Sequence, residues 1–174
     1  MKAAGFGPLL QIILGQQVSV SSANSLWSKL QVADITTAVA LRSVTQEDLR
    51  ILGLSQQKAR CALILAKADI DFDRLNYLPT HEVIKLLCAV KGIGMWTAEV
   101  YCIFSLRRAD VFAAGDLAIQ ESAKILFDLV DRPTERRLRE MANAWSPWRS
   151  VAARLLWAYY ATTKKRMASY DTGT

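Results

Sequence analysis

Apolar residues recur at helical spacing along this chain, in short stretches that capping residues begin and glycine or proline ends. In residues 22–30 the apolar side chains fall on one face of a helix. A second stripe of this kind consists of Ala59, Ala62, Leu63 and Ala66. Because no two segments alternate as paired strands would, the sequence predicts an all-α fold of about ten short helices joined by short loops.

Local signals predict where several of these helices begin. The segment TQED at residues 45–48 has the pattern of a capping box, in which the first and last side chains satisfy backbone N–H groups reciprocally. Ser55 and Thr134 precede two further helical stretches and are suited to cap them. We expect a last helix to begin near Pro147, because proline is tolerated in a first turn, and to end at Thr163.

Composition narrows the class of protein. The chain has 174 residues, a formal net charge of +6 and a pI near 9.4. This charge suits a polyanionic partner, although many basic proteins bind no nucleic acid. The three cysteines are too far apart for a zinc or iron–sulfur motif. Since the sequence has neither an export signal nor an apolar run of membrane-spanning length, we expect one soluble intracellular domain.

Gly92 and Gly94 separate two helical stretches, residues 80–90 and the stretch that starts at Met95. Glycine adopts positive φ and leaves backbone N–H groups uncovered, and N–H groups at the start of a helix favour a phosphate. Ile93 is expected to point into the core, and Lys91 adds a positive charge. The residues alone leave two interpretations open: an ordinary tight connection between helices, or a loop that binds an anion.

Three separated motifs together resemble one known family. They are ILGQQVSV (residues 13–20), VKGIGMWTAEVYCIFSLRRADVFAAGD (residues 90–116) and WSPWRSVAARLLW (residues 145–157). The chain resembles the helix-hairpin-helix DNA glycosylases, in particular their alkylation-repair branch, 3-methyladenine DNA glycosylase II. The resemblance implies a two-lobed helical fold, with residues 1–110 in the first lobe, residues 111–174 in the second, and the active cleft between them.

Asp116 follows Gly115 at the start of a helical stretch, and on its own it is most simply an N-cap. The resemblance implies that Asp116 is also the catalytic residue, because the family has an aspartate about twenty residues after the hairpin. The implied reaction hydrolyses the N-glycosidic bond of an alkylated purine in duplex DNA. Asp116 would stabilise an oxocarbenium-like transition state or activate water, and the sequence does not separate these roles. Asp110 is expected to stabilise its loop, and Arg149 to pair within the second lobe.

The resemblance assigns DNA contacts to two loops. The hairpin, residues 91–94, would bind backbone phosphates, often through a monovalent cation held by carbonyl oxygens of the loop. The wedge loop, residues 15–19, would enter the minor groove when the base is extruded. Without the resemblance, the wedge loop is a polar turn, and which of its two glutamines would fill the gap stays open. The predicted DNA-binding residues are Gln16, Gln17, Lys91, Gly92, Ile93, Gly94 and Thr97.

Aromatic residues are candidates for the base pocket. Trp96 and Trp157 match family positions that line this pocket, and Tyr101 is a weaker candidate on the same helix as Trp96. An alkylated purine is cationic and therefore binds well to an aromatic face. Its glycosidic bond is already weakened, so no general acid is needed. Core packing is the alternative for any of these rings, and it is what we expect for Trp27 and Trp148.

The resemblance also predicts what the enzyme does not do. Relatives that cut the DNA backbone carry a lysine two residues beyond the second hairpin glycine, where this chain has Trp96. We therefore expect a monofunctional glycosylase without lyase activity. The lone His81 completes no metal site with a second histidine or cysteine, and neither a required cofactor nor an iron–sulfur cluster is expected.

Two rival functions stay open at this point. The first is a non-catalytic helix-hairpin-helix module that binds DNA, which would need the glycines but not Asp116. The second is a glycosylase for uracil or mismatched bases. The expected partner in the favoured interpretation is double-stranded DNA containing damaged bases, bound by a monomer.

Overall fold

The computed structural model describes the backbone of residues 4–171 and the side chains of residues 4–164. Over residues 4–171 the chain forms ten α-helices and no strand, which confirms the predicted all-α class. Two 3-10 helices, Arg74–Asn76 and Ala142–Trp145, complete the secondary structure of this part. The α-helices are α1 (Phe6–Leu14), α2 (Val20–Val32), α3 (Ala38–Arg42), α4 (Gln46–Ile51), α5 (Gln56–Lys67), α6 (Thr80–Cys88), α7 (Met95–Phe104), α8 (Leu117–Leu126), α9 (Glu135–Met141) and α10 (Arg149–Asp171).

The chain divides into two compact units, residues 1–107 and residues 108–174. The first unit contains α1 to α7 and is organised around α1. This helix has no charged residue, and Leu9, Leu10, Ile13 and Leu14 have no exposed surface. A helix with an apolar face of this size must pack against other elements, and α2, α5 and α7 pack against it. Each fully buried leucine or isoleucine contributes about 1.5–3 kcal/mol.

Several helices begin where the sequence predicts. Thr45 and Asp48 form the capping box at α4, with the Thr45 hydroxyl accepting from Asp48 N and the Asp48 carboxylate accepting from Thr45 N. Ser55 Oγ accepts the Lys58 N–H at α5, and Thr134 Oγ1 accepts the Arg137 N–H at α9. These hydrogen bonds confirm the predicted caps. Such caps can be predicted from sequence because each depends only on residues within one turn.

The second unit is built on the packing of α8 against α10. Ala123 of α8 and Ala153 of α10 are fully buried, and the Ser122 hydroxyl donates to Leu156 O over 2.8 Å. Small residues at such a contact let the two backbones approach closely.

Three sequence predictions in this unit are wrong. The helix α10 begins at Arg149, so Pro147, which follows a cis peptide bond, precedes the helix. It runs to Asp171 and not to Thr163, because residues 164–171 contain neither glycine nor proline to end it. The Trp148 side chain is 62% exposed and therefore lies outside the core. Trp27, the other expected core tryptophan, is half-buried.

Among the described helices, none combines the length and the hydropathy that crossing a membrane requires.

Candidate functional site

The hairpin of the first unit joins α6 to α7. Lys91, Gly92 and Gly94 are exposed, whereas the Ile93 side chain is only 4% exposed, which confirms its predicted place in the core. The Ile93 N–H donates to Val90 O over 3.0 Å and closes the turn. The loop thus has a buried apolar anchor beneath an exposed backbone.

Gly92 is required by the protein itself, for two reasons. Its φ is +98°, a conformation that side chains strongly disfavour. A Cβ atom added to Gly92 would also lie 2.5 Å from Cys61 Sγ, far inside van der Waals contact. Cys61, on α5, is buried directly beneath the hairpin, and burial raises the pKa of its thiol. A neutral thiol therefore supports the turn.

Gly94 is not required in this way. Its φ of −94° and ψ of 176° are open to any residue, and a Cβ atom added there would meet no atom of the described residues within 4 Å. Gly94 is the N-cap of α7, and among the described side chains none caps this helix. The start of α7 therefore presents bare backbone with the positive end of the helix dipole, an arrangement that suits an approaching anion.

The wedge loop lies beside the hairpin in the same unit. Gln16 Nε2 donates to Thr97 Oγ1 over 2.8 Å and lies 3.5 Å from Gly92 O. Gln17 is exposed and has a φ of +54°, so the chain turns sharply at this residue. The two predicted DNA-binding loops are thus brought together and joined by the Gln16 amide.

Thr97 differs from the prediction in one respect. Its side chain is 2% exposed and its hydroxyl is bound to Gln16, so the side chain holds the wedge loop and has no surface to offer DNA.

Lys58 was not singled out by the sequence analysis. Its side chain is 8% exposed, and Nζ donates to Leu14 O, the last residue of α1, over 2.7 Å. Burial lowers the pKa of this lysine. A signal existed, because Lys58 is three residues before Cys61 and seven before Leu65 and therefore falls on the buried face of α5.

Tyr101 was predicted as a weaker candidate for the base pocket, and the structure contradicts this. The Tyr101 side chain has no exposed surface, its hydroxyl accepts the Gly5 N–H over 2.8 Å, and its ring lies 6.3 Å from that of Phe72. Burial raises the pKa of Tyr101 to about 12. A ring enclosed in this way has no face for a base to stack on, so Tyr101 is a core residue.

Trp96 and Trp157 are both half-buried, so part of each residue is exposed. Trp96 is in the first turn of α7, and Trp157 is near the middle of α10 in the second unit. Their joint membership of one base pocket stays a prediction.

Asp116 in the second unit is the N-cap of α8, as its position in the sequence predicts. Oδ1 accepts from Ala118 N over 2.9 Å and from Ile119 N over 3.1 Å, and the side chain is partly exposed. These two hydrogen bonds fix the position of the carboxylate at the start of α8. The cap and a catalytic role are therefore compatible.

The loop before Asp116 is held by an ion pair. Arg149 donates to Asp110 through Nε, 2.6 Å from Oδ1, and through Nη2, 2.7 Å from Oδ2, while Ser146 Oγ lies 2.9 Å from Oδ2. The Arg149 guanidinium holds the pKa of Asp110 down to about 2. The predicted structural roles of Asp110 and Arg149 are confirmed.

Residues of α8 and α10 fix the remainder of the loop. Ser150 Oγ accepts from Val111 N over 3.0 Å and lies 2.9 Å from Val111 O, and Gln120 Nε2 donates to Ala114 O over 2.8 Å. A Cβ atom added to Gly115 would lie 3.2 Å from Glu135 Oε2. The backbone that leads to Asp116 therefore has one well-determined course.

This combination of a glycine hairpin and a braced aspartate on an all-helical scaffold belongs to a known class. The chain is a member of the HhH-GPD superfamily of base excision DNA repair proteins, whose family model matches residues 10–148. Membership confirms the helix-hairpin-helix glycosylase resemblance that the three motifs indicate.

Particular relatives are similar over most of the chain. DNA-3-methyladenine glycosylase 1 of Schizosaccharomyces pombe is 29% identical over 165 residues, which cover 90% of this chain and 72% of the relative. A solved structure of the S. pombe 3-methyladenine DNA glycosylase in complex with abasic DNA has a TM-score of 0.81 at 29% identity, covering 87% of this chain and 78% of that one. A DNA-3-methyladenine glycosidase structure from Bacillus halodurans has a TM-score of 0.77 at 30% identity, covering 95% and 81%.

Loss of the Asp110 carboxylate is expected to destabilise the protein in a pH-dependent way. Because the pKa of Asp110 is lowered from 3.8 to about 2 by folding, its contribution is present above pH 4 and is lost as the pH falls through 2. Allowing for solvent screening of this partly exposed pair, Asp110→Asn should lower the free energy of unfolding by about 1–2 kcal/mol at pH 7.

Urea denaturation at pH 7, 4 and 2.5 measures this effect. The difference in the free energy of unfolding between wild type and Asp110→Asn should be smaller at pH 4 than at pH 7, and smaller still at pH 2.5. Asp131→Asn, at an exposed aspartate of the same unit, should have the free energy of unfolding of wild type at each pH. A difference that is constant with pH would contradict the role of the ion pair.

Proposed function

We propose that this chain is a monomeric DNA glycosylase that hydrolyses the N-glycosidic bond of alkylated purines in duplex DNA, the first step of base excision repair. The expected substrates are bases of the 3-methyladenine and 7-methylguanine type. The observation that carries the proposal is the rigidly braced Asp116 carboxylate at the start of α8, in a chain similar to DNA-3-methyladenine glycosylases over most of its length.

Asp116 would act on the sugar. As the bond to the base breaks, positive charge develops on the deoxyribose, and a carboxylate about 3.5 Å away stabilises it by roughly 4–5 kcal/mol at an effective dielectric of about 20. This is worth about three orders of magnitude in rate. Such stabilisation is effective only if the carboxylate is already in place. The hydrogen bonds that join Ser150 and Gln120 to the preceding loop support this.

Trp96 and Trp157 would bind the extruded base. A cationic purine is attracted to an aromatic face by up to about 2 kcal/mol when both are desolvated. The same preference disfavours neutral, undamaged bases. Because alkylation has already weakened the glycosidic bond, the chemistry needs no residue to protonate the leaving group.

The hairpin would bind a DNA phosphate through the backbone at the start of α7. Gly94 supports this, since neither its backbone angles nor its packing explains the absence of a side chain. The exposed Lys91 adds charge beside it. Carbonyl oxygens of residues 91–94 are neutral oxygen ligands of the kind that monovalent cations take, so such an ion would be held there when DNA is bound. No other cofactor is required.

Gln17, and not Gln16, would fill the gap that the extruded base leaves. The Gln16 amide is already bound to Thr97 within the protein. Gln17 is exposed at the tip of the loop, where its positive φ turns the chain. A polar side chain at this place can hydrogen-bond the base that has lost its partner.

Alanine substitutions at the two hairpin glycines test DNA binding and protein stability separately. Gly94→Ala should weaken the affinity for undamaged duplex DNA roughly tenfold, because a methyl group would stand between the N–H groups and the phosphate. Its free energy of unfolding should fall by about 1 kcal/mol or less. Gly92→Ala, the matched variant, should lose about 2–4 kcal/mol from strain at φ of +98° and overlap with Cys61.

Fluorescence anisotropy with a labelled duplex measures the affinity, and denaturation with urea measures the stability. Wild-type affinity in Gly94→Ala would contradict the phosphate site.

Asp116→Asn should lower the release of alkylated purines by about three orders of magnitude without affecting DNA binding. Asparagine is an equally good N-cap, so the free energy of unfolding should change by less than about 0.5 kcal/mol. Release is measured from duplexes that carry 3-methyladenine, 7-methylguanine, hypoxanthine, 1,N6-ethenoadenine or uracil. Unchanged release in the variant would refute the role of Asp116, and release of uracil alone would refute the proposed substrate class.

No lyase activity is expected, because Trp96 occupies the place of the nucleophilic lysine in relatives that cut the backbone. Lys58 has a lowered pKa, but its amine is buried and bound to Leu14 O. Borohydride treatment during turnover should therefore trap no covalent adduct between protein and DNA. A trapped adduct would contradict the proposal, and its loss in Lys58→Met would identify that lysine as the nucleophile.

A further inference from the structure

Two residues of α5 support the two loops that are proposed to contact DNA. Lys58 Nζ donates to Leu14 O, directly before the wedge loop, over 2.7 Å. Cys61 packs against Gly92 of the hairpin so closely that a Cβ atom there would lie 2.5 Å from its Sγ. Because these residues are three apart on a helix, they lie on one face. One rigid element therefore contacts the hairpin and the residue directly before the wedge loop.

A third contact joins the loops to each other. Gln16 in the wedge loop donates to Thr97 Oγ1 over 2.8 Å, and its amide lies 3.5 Å from Gly92 O. The end of α1, the wedge loop, the hairpin and α5 thus form a closed circuit of contacts. In such a circuit, a shift of one loop requires movement of the other or loss of a contact.

Burial of a lysine at position 58 is energetically unfavourable. Burial of an ammonium group costs several kcal/mol unless it is compensated, and here burial lowers the Lys58 pKa. Compensation comes from the charge-assisted hydrogen bond and from the negative end of the α1 dipole. An apolar side chain would fill the space at less cost, but it would leave the Leu14 carbonyl without this donor. What the lysine adds is a fixed direction for the end of α1.

We propose that Lys58 is a positioning residue for base extrusion, which holds the end of α1 so that Gln17 keeps a fixed place relative to the hairpin. This inference rests on the proposed function. The hairpin would fix the protein on the DNA backbone, and Gln17 would have to enter the stack at a set distance from that point. Misplacement of a functional group by about 1 Å is enough to lower a rate by roughly a hundredfold.

The first test uses the free protein and does not depend on activity. In wild type the Gly15 and Gln16 amides are hydrogen-bonded to carbonyl oxygens of α1. Lys58→Met should make these two amides exchange with solvent at least about tenfold faster, while those of α10 stay unchanged. Arg42→Met is the matched control, because Arg42 Nε donates to Ala66 O near the other end of α5. Unchanged exchange at Gly15 and Gln16 in Lys58→Met would overturn the proposal.

The second test measures extrusion and chemistry at a temperature at which every variant is folded. The probe is a duplex with 7-methylguanine flanked by 2-aminopurine, whose fluorescence rises when the stack opens. Lys58→Met should lower the fluorescence change and the single-turnover release rate about tenfold, with less than about a threefold loss of affinity for undamaged duplex. Arg42→Met should match wild type in all three measurements.

A double-mutant cycle with Gln17→Ala separates positioning from general destabilisation. If Lys58 acts through Gln17, then Lys58→Met should change the release rate by less than about twofold in the Gln17→Ala background. A full tenfold effect in that background would overturn the proposal. Failure of wild type to release any alkylated base would refute the proposed function, whereas the exchange measurement would still decide whether Lys58 positions the wedge loop.

Discussion

Enclosure of α1 is the constraint on which the first unit depends. Leu9, Leu10, Ile13 and Leu14 of this uncharged nine-residue helix have no exposed surface, because α2, α5 and α7 pack against it. Its end then opens into the wedge loop next to the start of α7. The proximity of the wedge loop and the hairpin is therefore a consequence of core packing, and the Gln16 hydrogen bond secures what the core has already arranged.

The two candidate sites use helix beginnings in opposite ways. The start of α7 carries no side-chain cap among the described residues, so its dipole is offered to an anion from outside. The start of α8 is capped by Asp116, an anion that the protein supplies itself. In the proposed function, the start of α7 would attract a phosphate of the DNA, and the start of α8 would hold the carboxylate that meets a developing positive charge.

Features that depend on residues close in the sequence were predicted correctly, and features that depend on distant residues were not. Caps at Thr45, Ser55 and Asp116 depend on neighbours within one turn, and the sequence predicted each of them. Tyr101 and Trp148 were misplaced because burial of an aromatic ring is decided by distant elements, in the case of Tyr101 by the backbone at Gly5. Lys58 was missed because a lysine on an apolar helix face usually reaches solvent. Its partner, the Leu14 carbonyl at the end of α1, is known only from the fold.

The contact between Cys61 and Gly92 links two positions that lie far apart in the sequence. With no space between the thiol and the glycine backbone, any side chain bulkier than cysteine at position 61 would lift the hairpin off α5. Divergence at this place is therefore confined to small residues such as alanine or serine, unless the turn is rebuilt at the same time. The buried sulfur atom of Cys61 thus limits which sequence changes the hairpin can accept.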